Sequence, residues 1–399
     1  MKEPLVNALG GLPVGMKAAI EDDLYELEKA SIKPVFVFSG CSVLRIEKPF
    51  SRPDNATAAR VRAWELYDQG QASEAVEAFG ELGIINPADL YRSIMRILRD
   101  NDVEYLVAPY ASWPQLAYLQ KEGFVDAVWG STELVLFEVE KVITNLDLQS
   151  GTFTFIDKAR LSNEVQLNSD QFIDACLLAG SRLLRTFTPL ETSPSAGKSL
   201  FLEAVGIVKK YRSVGNAITS IPHGHQEYLK DFKKARAAIK HHVIVLDSGN
   251  VVQLAKDKSP RDVHEFIGQR LPDELYFYLS RGLIGPQVPE MFTTGQFIET
   301  APLDCNESDE YKKFLDNICV MRAEYLSLLS KNLARYWVSR DIELYPWYNP
   351  TKTKLLSHRE IPAPSDSAQK WNVREAQFGP VMDQQTMVGF RVTLVGDLN

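Results

Sequence analysis

The chain has 399 residues, 45% of them hydrophobic, and a formal net charge of −8. That length and apolar content suffice for a sizeable core and for two or more domains. The negative balance excludes broad electrostatic adhesion to phosphate backbones, so any nucleic-acid contact has to be local. No run of about 18 apolar residues is present, which excludes an ordinary transmembrane helix, and the first ten residues carry no apolar signal region.

In chain order, Ile20, Leu24, Leu27 and Ala30 fall at helical spacing, and Pro34-Val35-Phe36-Val37-Phe38 is a short apolar strand suited to burial on both faces of a parallel sheet. Residues 56–79 are rich in Ala, Glu, Gln and Arg, and Gly70 divides them into two helices. A helix over 87–99, with Asn86 as its N-cap, turns Leu90, Ile94, Ile97 and Leu98 inward and feeds a strand at 104–108. Residues 114–122 are predicted helical and stop at Gly123; 125–129 and 133–137 read as strands, and 145–149 with 152–157 as a strand pair turning at Gly151. An apolar helix at 171–181 closes on a glycine. Residues 188–199 read as a connection, whose tail imitates a P-loop but has Thr192 at the place of the first glycine. A strand at 241–246, amphipathic helices up to Arg281, a long helical pattern over 308–337 and a flexible loop at 361–368 complete the chain.

Helices alternating with short apolar strands predict an α/β domain with a doubly wound parallel sheet. Such sheets place their sites at the carboxyl ends of strands, here just after Phe38, Ala108 and Trp129. Lys230, Lys233, Lys234 and Lys240 share one helix face and form a basic stripe, either a solvated surface or a contact for RNA or protein. His223, His225, His241 and His242 lack partners at zinc-ligand spacing and read as surface or capping residues, and His264-Glu265 lacks the second histidine of a metalloprotease helix. Cys41, Cys176, Cys305 and Cys319 lie far apart without metal-ligand spacing, which predicts reduced thiols in a cytosolic or nuclear protein.

The stretch Leu12-Pro13-Val14-Gly15, Ala18-Ala19-Ile20-Glu21-Asp22-Asp23-Leu24 and Ile32-Lys33-Pro34-Val35-Phe36-Val37-Phe38-Ser39-Gly40 resembles the N-terminal nuclease region of the flap endonuclease (XPG) family. The resemblance implies a PIN-like doubly wound sheet with a helical arch. It also implies a two-metal phosphodiesterase site, in which several carboxylates converge on Mg²⁺. That family has Asp where this chain has Ser39. The block from Tyr105 to Leu119 resembles the family's internal motif, with Ala111 and Trp113 at the places of two Glu; the block from Lys121 to Leu134 puts Thr132 and Leu134 at the places of two Asp. Glu133 lies between them, and a one-residue slip would turn it toward the site. Leu177-Leu178-Ala179-Gly180-Ser181-Arg182 matches a pattern whose last residue is a metal-binding Asp, here a cation. The Trp113 ring is expected to close the cleft where a hydrated cation would sit. The family's first strand would precede Pro4 and is expected from a full-length form.

Residues 262–286, Asp262-Val263-His264-Glu265-Phe266 through Arg281-Gly282-Leu283-Ile284-Gly285-Pro286, are similar to the fungal maintenance-of-killer-toxin proteins. This resemblance implies a post-transcriptional regulator that acts with an ataxin-type partner of poly(A)-binding protein, in the cytoplasm and in mRNP granules, and whose further C-terminal domain is not evident here. The expected organisation is an XPG/PIN-like domain lacking its first strand (1–158), a helical module resembling the helix-two-turn-helix region (159–240) and a family-specific, mostly helical domain (241–399). The expected function is a catalytically silent scaffold, with no cofactor and no membrane association, that binds proteins and RNA. The alternatives are a working Mg²⁺-dependent 5′ nuclease using Glu133, Asp126, Glu104 and acids of the expected N-terminal segment, and an RNA-binding module built on the basic stripe.

Overall fold

The computed structural model describes residues 12–41, 43, 55–81, 87–192, 199–220, 226–255, 267, 270–299, 301–302, 307–331, 333–349, 351–356 and 358–359. Asn86, His223, His225, His264, Glu265, Cys305 and the loop at 361–368 lie outside these. The chain divides into two compact units, one of residues 1–24, 46–104 and 281–386, the other of 25–45, 105–280 and 387–399. The class is α/β, as the alternating pattern predicts.

The second unit carries the region of nuclease resemblance. After α1 (Met16–Lys29), whose last residues belong to it, strand β1 (Val35–Phe38) pairs with β2 (Glu104–Val107). The pairing continues past both strand ends: Phe38 accepts from the Ala108 N–H (2.9 Å), Gly40 donates to the Tyr110 carbonyl (2.7 Å) and Cys41 to that of Pro109 (3.0 Å). Helix α5 (Ser112–Lys121) follows directly, α2 (Asn55–Asp68), α3 (Ala72–Glu81) and α4 (Pro87–Asp100) belonging to the other unit. Strand β3 (Val128–Trp129) runs parallel to β4 (Lys141–Asp147), which turns at Gly151 (φ +64°) into antiparallel β5 (Thr152–Asp157). In this sheet Val128, Val142 and Ile156 are in register and face inward, the period-2 alternation of a half-buried sheet.

Helices α6 (Lys158–Glu164), α7 (Ser169–Ala179), α8 (Thr188–Thr192), α9 (Leu200–Tyr211), α10 (Val214–Thr219) and α11 (Gln226–Lys240) form the helical module. α7 opens with a reciprocal capping box between Asn168 and Gln171 and closes at Gly180, whose φ of +102° a side-chain-bearing residue resists. Phe172, Leu177, Leu178, Phe187, Tyr228 and Phe232 share one core with Leu134 and Val142. Arg236 of α11 bridges Asp170 and Asp174 of α7, each at 3.0 Å, and so sets which face of α11 turns outward. The antiparallel pair β6 (Val243–Val245) and β7 (Val251–Gln253) and helix α12 (Asp273–Ser280) end the unit.

In the first unit, α2 (Asn55–Asp68) and α3 (Ala72–Glu81) form the helical pair that Gly70 (φ +79°) predicts, closed by Ala63, Ala75 and the edge-on rings of Trp64 and Phe79 (5.0 Å). α4 (Pro87–Asp100) follows. The C-terminal part contains α13 (Gln287–Thr294), β8 (Gln296–Ile298), α14 (Asp309–Ser330), α15 (Arg335–Val338), β9 (Glu343–Tyr345) and β10 (Lys354–Leu355). β9 lies between parallel β8 and antiparallel β10, over a core that includes Phe292, Leu326, Ile342 and Leu344. No helix among the described residues is long and apolar enough to cross a membrane.

Three expectations are corrected. Residues 133–137 are not a strand: Thr132–Leu136 is a 3₁₀ turn, because the Ser131 hydroxyl accepts from the Glu133 N–H (3.3 Å) and the Ser131 carbonyl from Leu134 (3.0 Å), which wins over the β preference of a short apolar run. Residues 188–192 are a helix rather than a connection, with Pro189 in its first turn, where the missing N–H costs nothing. His241 and His242 are not surface residues. Both are buried, and they hydrogen-bond to backbone carbonyls, His241 to Ala255 (2.9 Å) and His242 to Ala238 (3.2 Å) near the end of α11.

Candidate functional site

The positions that match the nuclease motifs lie in the second unit, and most of them meet through a short chain of contacts. The first is set by Gly40. A Cβ there would stand 2.1 Å from the Ala108 carbonyl oxygen and 2.8 Å from that of Pro109, so only glycine lets the end of β1 close on the end of β2. This fixes Ser39 beside the first turn of α5, where its hydroxyl oxygen accepts from the Ser112 N–H (3.1 Å) and its O–H donates to Ser112 Oγ (3.3 Å).

Ala111 is the N-cap of α5 and offers no side-chain cap. Its N–H instead donates to Nε2 of His242 (3.3 Å), which makes Nε2 the acceptor and leaves the proton on Nδ1 facing the Ala238 carbonyl. His242 is 1% exposed and edged by the rings of Tyr110 and Phe137, at 6.2 and 6.3 Å. Burial pushes its imidazole down to about 4, against the opposing pull of the Ala238 carbonyl. One turn on, the buried Gln115 amide closes a two-point clamp on Val245, donating to its carbonyl and accepting from its N–H, both at 2.8 Å. Sequence reasoning missed Gln115 and the role of His242, because both act across about 130 residues of chain and no local pattern marks them.

His242 carries a pH prediction. Its folded value lies below its unfolded value of about 6.5, so the stability it contributes is complete above pH 6.5 and is lost as pH falls toward 4. The loss reaches about 3 kcal/mol across that window. Asp174, which burial raises to about 6, acts in the opposite direction, losing stability as pH rises through that value. The difference between the wild-type and His242→Gln stability curves therefore isolates the imidazole. It is expected to narrow from pH 7 to pH 4, and a constant difference would refute the buried neutral tautomer.

Trp113 stands in the first turn of α5 and packs partly on the core. The Arg182 guanidinium lies over its ring, 5.8 Å from the centroid. Arg182 is placed by a tight turn: Ser181 and Leu184 form an isolated bridge, Phe187 donates to the Leu178 carbonyl (2.9 Å), and Thr186 Oγ1 donates to that of Ala179 (3.2 Å). The same arginine reaches Glu133. Its backbone N–H donates to Glu133 Oε1 (2.7 Å) and its Nε lies 3.6 Å from Oε2, while the Ser131 hydroxyl borders Oε2 at 3.5 Å. The Glu133 side chain is 16% exposed and that of Arg182 78%.

Ser39, Ala111, Trp113, Glu133 and Arg182 are thus connected, with Thr132 exposed next to Glu133. Leu134 is the exception: at 0% exposure it belongs to the core, and Glu133 is the residue the 3₁₀ turn aims at Arg182. Asp126 is exposed and Glu104 is half-buried at the start of β2. Lys230, Lys233 and Lys240 are exposed on α11 and Lys234 is half-buried, on the side away from the buried Tyr228, Phe232 and Ala235.

A pair of divalent ions bridged by carboxylates needs several oxygen ligands of negative charge. This site offers two serine hydroxyls, a methyl group, an indole, a threonine and one carboxylate that already has an arginine for a counter-ion, so its residues do not fit such a pair. Among the described residues no group of three or more His, Cys, Asp or Glu is placed to hold a metal ion.

The fold is an α/β one with a flap-nuclease-like (XPG) region, and the positions at which the sequence resemblance expects metal-binding acids, Ser39, Ala111, Trp113, Thr132, Leu134 and Arg182, carry no carboxylate. Residues 102–181 match the XPG I-region, and residues 260–348 match the family described as temperature dependent protein affecting M2 dsRNA replication. The chain is homologous to the post-transcriptional regulators named MKT1. It is 36% identical to that of Cryptococcus neoformans over 88% of this chain and 48% of the relative, and 23% identical to that of Saccharomyces cerevisiae over 91% and 56%. The chain therefore spans about half the length of the curated relatives it matches. Among solved structures, the catalytic core of Rad2 in complex with DNA substrate aligns at TM-score 0.39 and 14% identity, over 70% of this chain and 89% of that one. Flap endonuclease-1 from Methanococcus jannaschii aligns at 0.35 and 15%, over 66% and 74%. Nothing about substrate or activity follows at those scores.

Proposed function

We propose that this chain is a catalytically silent, flap-nuclease-like scaffold that acts in post-transcriptional control of messenger RNA. One observation carries the reading: Glu133, the acid between two of the motif positions, is paired with Arg182, the residue that the sequence resemblance aligns with a metal-binding aspartate. A guanidinium there supplies positive charge without a Lewis acid or an activated water, which leaves the pocket without the chemistry. The names of the MKT1 relatives support the regulatory half of the reading. The ataxin-type partner implied by the sequence resemblance, and a cytoplasmic location, are parts of the same proposal.

Tethering the chain to a reporter message in cell extract tests it. Reporter output should change with no cleaved fragment, and Glu133→Ala should leave the effect intact. A fragment that disappears with Glu133→Ala would overturn the reading.

The orientation of α11 favours RNA as a second ligand. The Arg236 bridges to α7 hold its apolar side inward and leave Lys230, Lys233 and Lys240 exposed on the other. Exchanging Lys233 and Lys234 for Glu is expected to weaken RNA retention and to flatten the log K against log salt slope by roughly one unit for each phosphate no longer neutralised. Unchanged retention would reject the stripe as an RNA contact.

A further inference from the structure

Helix α14 has more apolar surface than its own unit uses. One side carries the buried Leu315, Ala323 and Leu326, which is the single apolar face a surface helix needs to hold its place. A second series, Tyr311, Phe314, Ile318, Met321, Tyr325 and Leu328, recurs at alternating steps of three and four, the a/d spacing of a coiled-coil seam. Phe314 is 56% exposed and Met321 67%; the other members of the series are half-buried. Isolated exposed apolar residues are ordinary, but a contiguous stripe marks a contact surface. Its spacing also specifies the shape of what covers it. Knobs that repeat every 3.5 residues match the holes of another helix, not the period of a strand.

The two flanks of the stripe differ. Toward the core lie Leu315, Arg322 and Leu329, and Arg322 is committed to Glu299 (2.8 Å) and to the face of Phe297 (4.3 Å). On the outer side Glu310, Asn317 and Glu324 follow one another at seven-residue intervals, the first two exposed and Glu324 half-buried, and neither glutamate is ion-paired among the described residues; Lys313 stands further round the helix. Flank positions of a coiled coil choose partners by charge, and an acidic flank selects a basic one.

From this geometry we infer that the Tyr311–Leu328 stripe of α14 is the docking site for an amphipathic helix of another protein, one that carries Leu- or Ile-type residues at heptad spacing and Lys or Arg along the edge facing Glu310 and Glu324. The inference is independent of the nuclease-like pocket, which lies in the other unit, so either can fail without the other.

The test titrates the whole chain with two synthetic three-heptad helices that share Leu at every a and d position, one flanked by Lys and one by Glu, and reads fluorescence anisotropy. The Lys-flanked helix should bind at least about tenfold tighter at low salt, the size of discrimination that flank charges supply. Phe314→Asp combined with Met321→Asp should abolish binding without moving the thermal midpoint, since both side chains are exposed. Glu310→Lys with Glu324→Lys should reverse the preference between the two helices. Equal binding of both helices, binding that survives the Phe314/Met321 change, or a sedimentation-detected dimer that this change dissociates would each overturn the inference, the dimer by assigning the stripe to a second copy of the chain.

Discussion

Gly40→Ala is expected to cost at least about 3 kcal/mol, in the range reserved for substitutions that force backbone apart. The methyl would stand 2.1 Å from the Ala108 carbonyl oxygen and 2.8 Å from that of Pro109. Neither oxygen can retreat freely, because Pro109 accepts from Cys41 and the backbone of residue 108 is tied to Phe38. Relief requires opening the closure of β1 on β2 on which Ser39 and the start of α5 depend. Gly151→Ala is the matched control: φ there is +64° but nothing lies within 4 Å, so only the left-handed backbone penalises it, by about 1 kcal/mol. Urea midpoints of the two variants decide the matter, and a Gly40→Ala protein no less stable than Gly151→Ala would contradict the close approach.

Leu134→Asp is expected to be comparably damaging, and for a reason that bears on the site. The sequence resemblance expects an acid at this position, yet Leu134 is fully buried among Val128, Val142 and the helical module. A carboxylate placed in that apolar core either desolvates or takes up a proton, and each route costs several kcal/mol, on the order of 3 or more. Thr132→Asp, two residues earlier and exposed, should stay within about 0.5 kcal/mol of wild type. Far-ultraviolet circular dichroism through a urea series distinguishes the pair. If Leu134→Asp is tolerated as well as Thr132→Asp, the 3₁₀ turn does not bury that residue.

The same turn shows where local sequence stops being informative. A short, mostly apolar run such as 133–137 is compatible with strand or helix, and the Ser131 side chain decides it by capping the Glu133 N–H, a contest that composition does not reveal. Glycine signals were legible because they need no distant partner: Gly70 separates α2 from α3, and Gly123 ends α5 with φ of +75°. At the site, that Ser39, Ala111, Trp113, Thr132 and Arg182 carry no carboxylate was visible from the residue types alone. How they are linked was not. The Arg182 guanidinium over Trp113 and beside Glu133, and the His242 and Gln115 contacts under α5, join positions 49 to 131 residues apart and exist only once the chain is folded.

The decisive question is whether the pocket around Glu133 and Arg182 holds divalent ions. Isothermal titration of Mn²⁺ into the chain, run beside a cleavage assay on labelled flap and single-stranded substrates, answers it. The expected result is no saturable binding at two ions per chain and no metal-dependent product. Two bound Mn²⁺ with cleavage that Glu133→Ala abolishes would show that the arginine has not displaced the metal site.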